Sequence, residues 1–214
     1  MADLMVTEIY KSIQGESSWA GIPCTFIRLT GCPLRCRWCD TVYGFKGGKK
    51  MTQEGILDEV ERLGVNLVEL TGGEPLAQAE AKPLMDALVE KGYKVLIETS
   101  GSESLEGVSD KVHIIMDIKC PGSGMSDKNL WSNLALLKAT DEIKFVIANK
   151  EDFEWAAAIV QQKNLSSLCH LLFSPAWGLV KPSDLVAWLL ESKIDARLNL
   201  QLHKYIWSPR AKGV

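Results

Sequence analysis

The chain has 214 residues, of which 46% are hydrophobic and 24% charged, and its formal net charge is −3 at pH 7. This composition is typical of a globular protein with one sizeable core, so we expect a single domain over residues 1–214 and no broad attraction to nucleic acid. No apolar run approaches the roughly 18 residues that span a bilayer and the first residues lack a leader pattern, so we expect no membrane partner and a cytoplasmic location.

The predicted elements begin with two strands, at residues 6–10 and 25–29, and the second leads directly into a loop rich in cysteine. After residue 50, runs rich in Val, Ile, Leu and Phe alternate with amphipathic helical windows. The further predicted strands are 68–71, 94–98, 112–118, 142–147, 170–174 and 197–202. The predicted helices are 52–63, 82–91, 126–138, 151–162 and 182–191.

This alternation of strands and helices predicts an α/β fold with a mostly parallel sheet and helices outside it. Ile56, Leu57, Val60 and Leu63, for example, fall on one face of the first helix. The predicted strands that alternate with helices after residue 50 number six, too few for a closed eight-fold barrel, so we expect an incomplete, open βα barrel. In such folds the chemistry gathers beyond the carboxyl ends of the strands.

The loop at residues 31–41 places Cys32, Cys36 and Cys39 at CxxxCxxC spacing. Three thiolates can hold three irons of a [4Fe-4S] cluster and leave the fourth iron free for a chelating ligand. The alternatives are a zinc site, a cluster with a fourth cysteine, or buried thiols without a ligand. A second pair of metal ligands is not evident, because the other Cys and His residues are isolated from one another: Cys24, Cys120, Cys169, His113, His170 and His203.

Polar and glycine residues follow several predicted strands. Thr71-Gly72-Gly73-Glu74-Pro75 ends one of them, and paired glycines allow a ligand to approach the backbone closely. Three more polar groups stand at the same predicted edge, at residues 98–101, 117–119 and 174–177. Each of these motifs alone is more typical of a turn or a structural charge than of a binding site.

Together, the cysteine loop and the Gly72-Gly73-Glu74-Pro75 motif resemble the radical S-adenosylmethionine (SAM) superfamily. The resemblance implies a partial TIM-like barrel of the radical SAM type, with a [4Fe-4S] cluster and SAM as cofactors. It also implies which residues contact SAM: Trp38, Cys39, Asp40, Gly73, Glu98, Ser100, Asp117, Ile118, Lys119, Ser174, Pro175, Ala176 and Trp177.

Residues 9–17, 21–23, 26–29, 39–41 and 201–205 resemble, more narrowly, the 7-carboxy-7-deazaguanine synthase family. That resemblance implies a radical lyase that converts 6-carboxy-5,6,7,8-tetrahydropterin into 7-carboxy-7-deazaguanine, with loss of ammonia, on the route to queuosine. It implies substrate contacts from Ile13, Gln14, Gly15, Glu16, Arg28, Thr71 and, on the last strand, His203. It further implies Mg²⁺ on Thr41, an electron donor such as flavodoxin or ferredoxin, and a homodimer.

Two other functions remain open at this stage. A glycyl-radical activase shares the small size and the cysteine loop but acts on a partner protein. An iron-sulfur electron-transfer protein would use the cluster for redox chemistry alone and would not bind SAM. The sequence assigns no role to residues 210–214, beyond Pro209.

Overall fold

The computed structural model describes residues 3–214. The strands are β1 (Leu4–Ile13), β2 (Pro23–Leu29), β3 (Lys49–Met51), β4 (Leu67–Gly72), β5 (Lys94–Thr99), β6 (His113–Ile118), β7 (Glu142–Ile147), β8 (His170–Pro175) and β9 (Arg197–Leu198). The helices are α1 (Gln53–Leu63), α2 (Ala81–Glu90), α3 (Lys150–Gln162), α4 (Pro182–Ser192) and α5 (Leu202–Ile206).

The nine strands form one sheet in the order β3-β1-β2-β4-β5-β6-β7-β8-β9. From β2 to β9 every neighbouring pair is parallel, whereas β1 runs antiparallel to both β2 and β3. The strands β3 and β9 lie at opposite edges, so the sheet does not close on itself. The expected incomplete, open βα barrel is therefore confirmed.

The two faces of the sheet bury different cores. Val68 and Leu70 of β4 pack in the larger core with helix residues such as Ile56 and Leu84. Leu67 belongs to a smaller apolar cluster on the opposite, inner face. The other members of the inner cluster are Cys24, Phe26, Leu96, Ile115 and Leu172.

Polar residues follow this inner cluster on the same face of each strand. Side chains two residues apart in a strand lie on the same face. Glu69, two residues beyond Leu67, and Glu98, two residues beyond Leu96, therefore also lie on the inner face. Arg28, Asp117 and Ser174 follow Phe26, Ile115 and Leu172 in the same way. The inside of the barrel is thus apolar near the amino ends of the strands and charged near their carboxyl ends.

The long helices have the ends that their sequences predict. Thr52 accepts a hydrogen bond from the Gly55 N–H at 3.1 Å, and Gly64 ends α1 in the left-handed conformation. Pro182 is the first residue of α4, where its missing N–H costs nothing. Among the described residues, no helix combines the length and apolar character needed to cross a membrane.

The helix predicted at 126–138 is wrong. The chain instead forms two short 3₁₀ segments, Ser126–Lys128 and Trp131–Leu136. Between them, the Asn129 side chain accepts the Lys119 N–H at 2.8 Å and donates to the Lys119 carbonyl at 3.0 Å. Asn133 likewise accepts the Leu105 N–H at 3.0 Å. These asparagine bonds to distant backbone replace an α-helical ladder.

The strand predicted at 197–202 is also too long, since β9 ends at Leu198. Asn199 leaves the sheet, and its side chain accepts the Ser17 N–H at 2.7 Å and donates to the Ser174 hydroxyl at 2.7 Å. The Leu202 N–H then donates to the Gly15 carbonyl at 2.9 Å as α5 begins. His203 therefore lies on a helix, not on the last strand.

Candidate active site

A cavity of about 850 Å³ opens at the carboxyl ends of the parallel strands. Its walls come from the strand ends, from the cysteine loop and from a C-terminal segment that includes residues 208–214. All but one of the residues predicted to bind a cofactor, a metal or the substrate line this cavity. The exception is Ile118, whose buried side chain packs in the helix-facing core, so only its backbone is available to a ligand.

The cysteine loop is held against the end of β4. The Glu74 N–H donates to the Gly31 carbonyl at 2.8 Å, and the Gly31 N–H donates to the Gly44 carbonyl at 2.8 Å. A Cβ at Gly73 would collide with the Gly31 carbonyl oxygen and would lie 2.8 Å from the Cβ of Cys32. Glycine is required at position 73 because the two loops touch there.

Cys32, Cys36 and Cys39 are half-buried free thiols, and all three line the cavity. Burial raises the pKa of each thiol, whereas the nearby Lys119 ammonium lowers it. Among residues 3–214, no three Cys, His, Asp or Glu side chains lie close enough to hold a single metal ion. Three thiols on one loop that borders the cavity match the donor set of a cubane cluster, whose protein ligands bind three different irons.

Glu74 joins the ends of β4 and β5. Its buried carboxylate accepts hydrogen bonds from the Thr99 hydroxyl at 2.9 Å, the Ser100 N–H at 2.6 Å and the Leu76 N–H at 2.9 Å. The Ser100 hydroxyl also donates to Glu74, and it contacts Ser102. Glu74 therefore fixes the backbone at Gly73 and Ser100, both of which are predicted to contact SAM.

Two charged pairs flank the cysteine loop. On one side, the Lys119 ammonium lies 2.7 Å from Asp117 at the end of β6. On the other, the Lys204 ammonium of α5 lies 2.5 Å from Asp40, and Thr41 donates to Asp40 at 2.9 Å. Although the partial burial of Asp40 opposes it, Lys204 and these hydrogen bonds hold the pKa of Asp40 well below its usual range.

The end of β8 forms a further wall of the cavity. Ser174, Pro175 and Ala176 are buried, whereas the Trp177 indole is 42% exposed. Trp177 contacts Tyr205 edge to face, with ring centroids 5.1 Å apart. Trp38 lines the cavity as well.

The segment from Ile13 to Glu16 lines the same cavity as the cysteine loop. Gln14 is buried, its side chain donates to Glu69 and accepts the Glu16 N–H at 2.8 Å, and its backbone bonds to Gly21 and Ile22. Gly15 leaves space for the His203 ring, which a Cβ there would strike. Gln14 thus shapes this segment, while Glu16 presents its carboxylate to the cavity.

Arg28 and Thr71 lie on adjacent strands. The Arg28 guanidinium donates to Glu8 at 2.8 Å and to the Tyr10 hydroxyl at 3.1 Å, and Tyr43 lies beside it. Arg28 therefore has a structural carboxylate partner but still borders the cavity. The Thr71 hydroxyl donates to Glu98 at 3.3 Å.

The sequence predictions missed several charged or polar residues of the cavity: Glu69, Lys144, Gln201, Lys204 and Tyr43. Glu69 and Lys144 had a detectable signal, since each is a charged residue inside an otherwise apolar strand of a parallel sheet. A buried charge in such a strand is expected only where it has a partner. Gln201 and Lys204 fall in the segment 201–205 on which the family resemblance rests, but within that segment the sequence assigned a role only to His203.

Comparisons with known proteins agree with this geometry. The Radical SAM superfamily matches residues 26–118. A 7-carboxy-7-deazaguanine synthase from Koribacter versatilis is 49% identical, covering 99% of this chain and all of the relative. A 7-carboxy-7-deazaguanine synthase from Chlorobaculum tepidum is 41% identical, and the match covers 100% of this chain and 98% of the relative. The crystal structure of QueE from Escherichia coli matches with a TM-score of 0.78 and 23% identity. The match covers 94% of this chain and 95% of that protein.

The fold and the cysteine loop define a radical SAM enzyme, which uses a [4Fe-4S] cluster and SAM. Identity of up to 49% over the whole length identifies the group within that superfamily. The chain belongs to the 7-carboxy-7-deazaguanine synthase family.

Proposed function

We propose that this enzyme converts 6-carboxy-5,6,7,8-tetrahydropterin into 7-carboxy-7-deazaguanine with loss of ammonia, as a step toward queuosine and the modification of tRNA. The observation that carries this proposal is the full-length identity to enzymes of that name, together with a cavity lined by the cysteine loop, Glu16 and Arg28. When bound, the cluster and SAM supply a 5'-deoxyadenosyl radical.

On the cofactor side, the proposal assigns the three cysteines to the cluster and the strand ends to SAM. The Glu98 carboxylate is suited to hydroxyl donors, because it is 28% exposed and has oxygen lone pairs beyond those used by Lys144 and Thr71. Gly73 and Asp117 provide backbone and carboxylate groups beside the cysteines. The remaining contacts of this side are Trp38, Asp40, Ser100, the backbone of Ile118, Lys119 and residues 174–177.

On the substrate side, Arg28 is the cation that receives the pterin carboxylate. Ile13, Gly15 and Glu16 offer backbone and carboxylate groups to the ring edge, while Gln14 holds their segment in place. Thr71 and His203 complete the pocket. Burial lowers the pKa of His203, which supports a neutral imidazole that can both donate and accept hydrogen bonds.

We also propose that Mg²⁺ binds at Thr41 with the substrate carboxylate and water as further ligands, since Mg²⁺ favours oxygen donors and retains waters. Thr41 lines the cavity beside Cys39, which supports this assignment.

The exposed Arg35 and Arg37 on the cysteine loop suit docking of an acidic electron donor such as flavodoxin or ferredoxin.

Three broader proposals concern the protein as a whole. Residues 1–214 act as a single radical SAM domain, which the one continuous sheet supports. A homodimer is supported by exposed apolar side chains such as Trp177, Leu179 and Ile206. A cytoplasmic location is supported by the six free thiols, which suit a reducing compartment.

The test is anaerobic reconstitution with iron and sulfide, followed by incubation with reductant, SAM and the pterin. We expect a deazapurine product together with released ammonia. Formation of a glycyl radical on a partner protein, without any deazapurine, would replace this proposal with the activase. Absence of SAM binding and of 5'-deoxyadenosine would replace it with an electron-transfer protein.

A further inference from the structure

One buried lysine lies between the two halves of the cavity. Lys144 extends from β7 toward the inside of the barrel, and its side chain is only 5% exposed. Its ammonium lies 3.1 Å from Glu16 and forms a second ion pair with Glu98. Glu16 belongs to the segment assigned to the substrate, and Glu98 to the strand end assigned to SAM.

Lys144 is the cation that Glu16 and Glu98 share. Glu69 is also buried on this inner face, where it is hydrogen-bonded to Gln14 and the charges of both Lys144 and Arg28 act on it. In the described part of the chain, Lys144 is the only cation that forms ion pairs with Glu16 or Glu98. Burial disfavours the ammonium form, but Glu16 and Glu98 outweigh it and raise the pKa of Lys144 well above its usual value.

The two carboxylates differ in how else they are held. Glu16 also accepts hydrogen bonds from Gln201 at 3.0 Å and Asn199 at 3.3 Å. Among residues 3–214, Glu98 has only the hydrogen bond from Thr71, at 3.3 Å, besides the lysine. Loss of the Lys144 charge would remove the ion pair that holds Glu98, so we expect the Glu98 side chain to move.

We propose that Lys144 is a positioning residue that fixes Glu16 and Glu98 relative to each other, and thereby holds the pterin in contact with the carbon radical formed from SAM. This inference rests on the proposed function, because it assumes that the pterin binds beside Glu16. A primary radical must meet its target at near-contact distance, and a displacement of about 1 Å can cost a hundredfold in rate.

The experiment compares Lys144→Met with the wild-type enzyme and measures 5'-deoxyadenosine formed per deazapurine, together with the KM for the pterin. We expect the ratio to rise about tenfold or more, because radicals form but fail to reach the pterin. We also expect the KM to rise about tenfold. Lys144→Arg keeps the charge and should restore the ratio toward the wild-type value.

Lys138→Met is the matched control, because Lys138 forms a comparable ion pair with Asp141 at 3.0 Å outside the cavity. It should lower the melting temperature without changing the ratio. If Lys144→Met does not fold, Lys144→Gln keeps a hydrogen-bond donor at this position without the charge, and it should fold but retain the raised ratio of 5'-deoxyadenosine to deazapurine.

A wild-type ratio in a folded Lys144 variant that lacks the charge, with an unchanged KM, would overturn the positioning role. A failure of the wild-type enzyme to make any deazapurine would refute the proposed function instead. The two failures are therefore distinguishable within one set of assays.

Discussion

The Lys204 ammonium of α5 lies 2.5 Å from the Asp40 carboxylate, next to the last cysteine of the cluster loop. The two residues are 164 positions apart in the chain, and Lys204 is only 6% exposed. Gln201 adds hydrogen bonds to both Asp40 and Glu16. The last helix thus connects the proposed cofactor and substrate sides of the cavity.

Replacing Lys204 with Met should loosen the C-terminal segment while leaving the rest of the fold intact. Because Asp40 is 48% exposed, the ion pair contributes at most about 1 kcal/mol to stability. We expect faster chymotrypsin cleavage near Tyr205 and Trp207, measured by mass spectrometry. Lys128→Met removes an exposed ion pair with Asp127 and serves as the control. An unchanged cleavage rate would show that Lys204 does not fasten this segment.

Replacing Cys36 with Ala should abolish bound iron and SAM cleavage together, because a cluster cannot be held by the two remaining thiolates. Iron analysis and the yield of 5'-deoxyadenosine test this prediction. Cys169→Ala is the matched control, since Cys169 is a buried free thiol that precedes β8 and does not line the cavity. Activity retained by the Cys36 variant would refute the cluster assignment.

Replacing Gly73 with Ala should displace the cysteine loop. The new Cβ would collide with the Gly31 carbonyl and press against Cys32, and overpacking of this kind costs about 1–3 kcal/mol. We expect reduced iron content after reconstitution and a lower midpoint in urea. Gly55→Ala in α1 should be tolerated, since its Cβ would meet only the Thr52 hydroxyl, at 3.3 Å. Normal iron loading in the Gly73 variant would contradict the contact.

Replacing Arg28 with Ala should weaken pterin binding but spare SAM binding. A charge-assisted hydrogen bond contributes about 2 kcal/mol, so the KM for the pterin should rise about thirtyfold. Glu8→Gln leaves the cation in place and should have a smaller effect, which separates substrate contact from structural pairing. Equal losses of affinity for both ligands in the Arg28 variant would reject this role.

Replacing Glu69 with Gln should change how stability depends on pH. Burial and the Glu98 charge raise the pKa of Glu69 well above its ordinary value of 4.5. The native state therefore holds a proton that the unfolded chain releases above about pH 4.5, so this group lowers stability as pH rises. We expect the Gln variant to lose stability less steeply than the wild type between pH 5 and 8, as measured by urea unfolding. Parallel stability curves would show that Glu69 ionises normally.

The sequence by itself determined the class of fold, the cluster loop and the family. The alternation of apolar strands and amphipathic helices reports on burial, which is local, and it predicted β2 and the parallel strands from β4 to β8 correctly. The spacing of the three cysteines and the Gly72-Gly73 pair is local as well. These features need no knowledge of distant partners.

Tertiary structure alone decided which groups meet inside the barrel. The failed helix at 126–138 and the shortened last strand both trace to asparagines, Asn129, Asn133 and Asn199, whose side chains bond to distant parts of the chain. The ion pairs Lys144–Glu16 and Lys204–Asp40 join residues more than a hundred positions apart. Periodicity cannot reveal such pairs, because a buried charge depends on whichever partner the fold brings within a few ångströms.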